Sequence, residues 1–158
     1  MALTWLHDDT WGDSLEGWTK AYGPEVVEKC YRAMADRSRK ALPLLNKVEE
    51  DAELTERARQ DIAACRAVHH QARSASNLMR FLMRRNELLE TDREGELTDE
   101  MLDLIRDEVS HLEDFLPYVE RSHFLGFHGD AMEYLYTADM IQDKLHTLKS
   151  ILSRAREE

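Results

Sequence analysis

Cysteine is scarce in this sequence. Cys30 and Cys65 are the only two, too few for a disulfide framework. Both fall at apolar-periodic positions, so two buried free thiols are expected rather than a disulfide or a metal centre. Basic charge is short as well: 21 Lys and Arg stand against 32 Asp and Glu, for a net charge of −11. Phosphates would be repelled, which excludes non-specific binding to nucleic acid or to an anionic membrane surface. No apolar run reaches the length of a membrane span. Met1–Asp9 has neither a basic n-region nor an apolar h-region, so no secretory signal is expected. Export would follow only from membership of a longer secreted protein. Strand-like alternation is absent, and so are a Gly-x-Ser-x-Gly elbow, a phosphate loop and a dinucleotide fingerprint.

What the chain has instead is helical periodicity and charge. Charged residues make up 34% and apolar ones 42%, against a usual charged share of about a quarter. That balance suits a helical bundle with a solvated outer surface. Thr10 is placed to cap a short helix that ends near Tyr22, before Gly23. Pro24 then opens the next helix, where its missing N–H is harmless. Val26, Val27, Cys30, Tyr31, Met34, Leu42, Leu45 and Val48 recur at three and four, with Pro43 kinking or ending the run. A long helix follows from about Leu54 to Leu89. Its inner side is marked by Leu54, Ala58, Ile62, Cys65, Val68 or His69, Ala72, Leu78 or Met79, Leu82 and Leu89. After a polar break, Thr98 or Asp99 caps a helix that turns Met101, Leu104, Ile105, Leu112, Phe115, Leu116 and Val119 inward, with Pro117 in its last turn. Thr137 caps a final helix carrying Met140, Ile141, Leu145, Leu148, Ile151 and Leu152 on one side. Short connections make sequential helices antiparallel neighbours. The expectation is an all-α fold: one domain over 1–158, with an N-terminal helical extension at 1–23 and an up-down four-helix bundle at 24–158. Arg80, Arg84 and Arg85 form a local basic patch, expected on a solvated helix side.

Chemistry-bearing residues concentrate in Ser122–Tyr136. Two histidines, two glycines, two carboxylates and four aromatics occupy one connection between helices, and such connections tend to be functional or well packed. His123, Phe127, His128, Asp130, Glu133, Tyr134 and Tyr136 are the candidate ligand-binding residues, because aromatics beside hydrogen-bonding groups suit a sugar-binding surface. A buried minicore of the four aromatic rings is the competing reading. Glu108-Val-Ser-His111 is a Glu-x-x-His motif, which carboxylate-bridged di-metal bundles use twice. Here it occurs once, so Glu108 and His111 are minority metal candidates, expected at the edge of the packed stripe. His69 and His70 point about 100° apart on a helix. One of them is expected half-buried, and the two do not share a metal. No catalytic residue and no cofactor are assigned.

Two stretches resemble a known family. Trp11-Gly-Asp followed by Tyr22-Gly-Pro-Glu-Val-Val-Glu-Lys resembles the Tyr-Gly-Pro-Glu-Ala-Ala helix start in the helical regions that follow the catalytic barrel of large bacterial glycoside hydrolases. Arg121-Ser-His-Phe-Leu-Gly-Phe-His-Gly-Asp-Ala-Met-Glu-Tyr-Leu-Tyr-Thr-Ala-Asp-Met-Ile resembles a segment near the C-terminus of such proteins. There an acidic residue, Ser and Arg precede an aliphatic residue, Gly, an aromatic, His, Gly and Glu. Gly126, His128 and Gly129 match. Glu120-Arg121-Ser122-His123 departs from the opening, and Asp130 stands where the family has Glu. The resemblance covers both ends of the chain and not the middle helices. It implies a non-catalytic accessory domain of a carbohydrate-active protein, with a catalytic barrel elsewhere in a longer chain and carbohydrate as a partner. The rival expectations are a stand-alone metal-binding bundle and a helical protein-interaction module. An exposed apolar patch near Trp5, Trp11 and Trp18 would favour the accessory domain.

Overall fold

A computed structural model of the chain describes residues 15–50, 53–93, 95–121, 125 and 137–155, with the side chains of Glu16 and Trp18 excepted. Among these residues the structure is helical, without strands. Its segments are α1 (Leu15–Thr19), α2 (Pro24–Arg39), α3 (Leu42–Glu49), α4 (Glu56–Glu90), α5 (Asp99–Arg121) and α6 (Ala138–Arg154). The boundaries follow local chemistry. Gly23 precedes α2 at a φ of 78°, a left-handed conformation natural to glycine, and Pro24 opens the helix. Thr55, Thr98 and Thr137 accept hydrogen bonds from the amides of Ala58, Met101 and Met140 at 3.2, 3.3 and 3.3 Å. Such caps satisfy amide donors that a helix start leaves without intrahelical partners. The run broken by Pro43 does end early: α2 stops at Arg39 and α3 begins at Leu42. Pro117, by contrast, lies inside α5, which continues to Arg121.

The four long helices pack in chain order. α2 and α5 both lie against α4, and α6 lies against α5. Cross-helix pairs set the directions. Ser38 meets His69 while Glu28 meets Ser76, and Arg73 meets Asp107 while Arg80 meets Glu100. Both pairings run antiparallel. The main core joins Ala63 and Ala67 of α4, Leu112, Phe115 and Val119 of α5, Leu125, and Ile141 and Leu145 of α6. A smaller cluster under α1 holds Leu15, Met79 and Leu82.

Periodicity located the core residues of α5, but it misplaced both thiols. Cys30 and Cys65 are exposed. On α2 the inner side is Glu28, Ala35 and the partly buried Val27 and Tyr31, which turns Val26, Cys30 and Met34 to solvent. On α4 the inner side near Cys65 is Ala63, Arg66, Ala67, His69 and His70, leaving Cys65 and Val68 outside. In both helices polar residues took interior positions that the apolar count had assigned to others. Leu88 rather than Leu89 is buried at the end of α4.

Candidate functional site

α4 lies between two helices, so residues on opposite sides of it are both enclosed. This is why His69 and His70 are both buried, where one was expected half-buried. His69 faces α2 and meets the Ser38 hydroxyl through Nδ1 at 3.0 Å. His70 faces α5, stacked on Phe115 at 4.5 Å and on His111 at 5.4 Å between ring centroids.

Glu108 and His111 are interior residues too, with 6% and 3% of their surface exposed, not edge residues of the stripe. Partners from α4 and α6 make that burial tolerable. Glu108 accepts from the Ser74 hydroxyl at 2.6 Å, from the Asn77 amide at 3.1 Å and from the Lys144 ammonium. Beside it, Asp107 accepts from Arg73 Nε at 2.8 Å, from a second Arg73 nitrogen, and from Asn77 at 2.9 Å. Asn77 therefore bridges both carboxylates. Burial is the largest influence on Glu108 and pushes its pKa up, but His111 in its protonated form, the Lys144 charge and the bonds from Lys144 and Ser74 outweigh it and leave the pKa lowered. The Arg73 fork likewise holds Asp107 below its usual range against burial.

The histidines are held neutral. Burial, aided by His111, His69, Arg66 and Arg73, pushes His70 down to about 3. Burial lowers His111 as well, although Glu108 pulls the other way. His111 Nδ1 lies 3.1 Å from the Asp107 carbonyl. A carbonyl only accepts, so Nδ1 carries the hydrogen and Nε2 keeps its lone pair. That Nε2 stands 3.5 Å from Glu108 Oε2 and makes no hydrogen bond, and neither does His70 Nδ1. The cluster thus stores two buried imidazole nitrogens without partners, one facing a carboxylate. Proton uptake at either is opposed by the surrounding interior.

Above the cluster a groove of about 580 Å³ runs between α2, α4 and α5. Arg32, Arg39, Arg73 and Arg80 line it against Asp36, Glu100, Asp103 and Asp107. Arg80 and Arg84 of the basic patch pair with Glu100 at 3.2 and 3.7 Å. Among the described residues, no group of three or more His, Cys, Asp and Glu side chains is arranged to hold a metal ion. Glu108 and His111 are brought together, but the neighbours that complete their surroundings are a serine, an asparagine and a lysine. His123, Phe127, His128, Asp130, Glu133, Tyr134 and Tyr136 lie outside the described residues, as do Trp5 and Trp11.

No protein-family model, curated protein or solved structure matches this chain.

A second polar assembly anchors α3. Arg66, whose side chain is 9% exposed, donates to Asn46 Oδ1 at 2.6 Å and pairs with Glu49. The Tyr118 hydroxyl donates to the same Glu49 at 3.2 Å, and the Arg66 guanidinium lies 4.7 Å over the Tyr118 ring. α3 is thereby held by polar groups. None of its apolar residues is fully buried, and Leu44 and Val48 are 62% and 47% exposed. Sequence reasoning had passed over Arg66, Arg73, Asn77 and Lys144. A signal existed on α4: Arg66, His70, Arg73 and Asn77 recur at four and three, a polar row at helical spacing.

Among the described residues, no helix is long and apolar enough to cross a membrane.

Proposed function

We propose that this chain is a helical accessory domain that docks on a larger partner through the outward sides of α2 and α3. The observation that carries the reading is the apolar surface these two helices leave open. Val26, Cys30 and Met34 follow at i, i+4 and i+8 on the solvent side of α2. Leu44 and Val48 do the same on α3, and Tyr22 stands open just before α2. Single exposed apolar side chains are ordinary, but a repeated outward row on successive helices marks an interaction surface. Charge narrows the occupant. Six basic residues and four acidic ones lie between Pro24 and Glu49, in a chain of net charge −11. The face therefore suits an apolar surface with an acidic rim.

The resemblance of Tyr22–Lys29 and Arg121–Ile141 to the post-barrel region of glycoside hydrolases supplies the partner: the catalytic barrel of a carbohydrate-active protein, carried in a longer chain. Chemistry on glycosides then belongs to that barrel. The test is the whole reading frame that encodes these residues, followed by surface labelling of its full-length product. The expected result is a barrel-sized region in the same frame and protection of Leu44, Val48 and Met34 relative to the separate chain. A frame without such a region, or equal labelling of these residues in both forms, overturns the proposal.

A further inference from the structure

A second groove, of about 240 Å³, lies between α4, α5 and α6. Leu78 and Phe81 of α4, Leu104 and Ile105 of α5, and Leu148 and Ile151 of α6 form its apolar walls. Its polar lining residues are Asn77, Glu108 and Lys144. They hydrogen-bond to one another, so they form one end. From there the walls run along all three helices, from 77 to 81, from 108 to 104 and from 144 to 151. The groove is thus an apolar slot with a single polar end.

The polar end pairs the Lys144 ammonium with the Glu108 carboxylate and still keeps a donor open. Both Glu108 oxygens are engaged, one by Ser74 and Lys144 and the other by Asn77. Lys144 is 42% exposed and contacts Glu108 and, at 3.4 Å, the Ser74 hydroxyl. An ammonium has three donors, and among the described residues Glu108 and Ser74 take two of them, so one N–H remains for a ligand. A negatively charged head is the complement of that donor. The volume equals roughly eight waters at about 30 Å³ each, room for an eight-carbon chain along the apolar walls.

We infer that this groove binds a straight-chain amphiphile with a carboxylate head, its alkyl chain between α4, α5 and α6 and its head on Lys144. The inference stands apart from the accessory-domain reading and uses a different surface. The test titrates octanoate, octan-1-ol and octylammonium into the full chain while following the methyl signals of Leu104, Ile105, Leu148 and Ile151. Octanoate should shift these signals saturably and bind about tenfold tighter than either analogue, a difference of about 1.4 kcal/mol. Leu148→Trp should fill the slot and abolish the shifts of the Leu104, Ile105 and Ile151 methyls while the helical circular dichroism signal is retained. Lys144→Met should bring octanoate down to the level of the alcohol. Absence of saturable shifts, equal affinity for the three head groups, or octanoate binding that survives Leu148→Trp overturns the inference. If Lys144→Met does not fold, the head-group series in the unaltered chain decides it.

Discussion

α3 and α5 are both amphipathic, and they treat their apolar residues in opposite ways. α5 encloses Met101, Leu104, Ile105, Leu112, Phe115 and Val119, and it takes Glu108 and His111 in with them. α3 fully buries nothing and is fastened through Asn46 and Glu49, while Leu44 and Val48 face water. The difference lies in the neighbours. α5 is flanked by α4 on one side and α6 on the other, so its inner arc is covered from two directions. α3 meets α4, which covers only part of its arc. An apolar stripe states what a helix would bury if a partner covered it. It does not supply the partner.

Truncation inside α5 should have the largest effect on this contrast. Phe115 is fully buried and stacks on His70. Phe115→Ala should cost about 3–5 kcal/mol in denaturant unfolding. A loss below about 1 kcal/mol would mean that the α4–α5–α6 core is not packed as described.

Acid should act next, and through the same interface. His70 titrates near 6.5 when unfolded and is pushed down to about 3 when folded. A depressed histidine leaves stability intact above the unfolded value and removes it as pH falls from there towards the folded one. The slope is about 1.4 kcal/mol per pH unit for each such group. His69 and His111 are shifted in the same direction. The carboxylates of Asp107 and Glu108, both lowered, add their own loss only as pH falls further, below their unfolded values of 3.8 and 4.5. Unfolding free energy should therefore begin to drop just under pH 6.5, and His70→Leu should flatten the first part of that drop. A profile unchanged between pH 7 and 5 would contradict the buried, neutral assignment.

Removing the polar latch should be a local event. Arg66→Ala deprives Asn46, Glu49 and Tyr118 of their shared partner, at about 1–3 kcal/mol for buried hydrogen bonds lost. Amide exchange should accelerate across Leu42–Glu49 while α5 keeps its protection. Uniform acceleration of both helices would show that α3 belongs to the cooperative core. The smallest effect belongs to Leu44→Ser with Val48→Ser, each expected within about 0.5 kcal/mol of neutral because neither side chain leaves an interior.

Much of this architecture was legible in the sequence. The caps at Thr98 and Thr137, the interruption near Pro43 and the inner residues of α5 follow from local rules that need no tertiary partner. The interior placement of Glu108, His111 and Arg66, and of both α4 histidines at once, was not legible. Glu108 and Arg66 are admitted to the interior by partners on other helices, and Ser74, Asn77, Lys144 and Glu49 are 17 to 36 residues away in the chain. The exposure of Cys30 has the same origin, since Glu28 and Ala35 took the inner side of α2. The candidates between His123 and Tyr136 lie outside the described residues.

The contrast between α3 and α5 is tested most directly by hydroxyl-radical labelling of the dilute chain with residue-level mass spectrometry. Leu44, Val48 and Met34 should label rapidly, and Leu112, Phe115 and Met79 should stay protected. Protection of Leu44 and Val48 equal to that of Leu112 would show that α3 is covered by this chain itself, and the docking face would not exist.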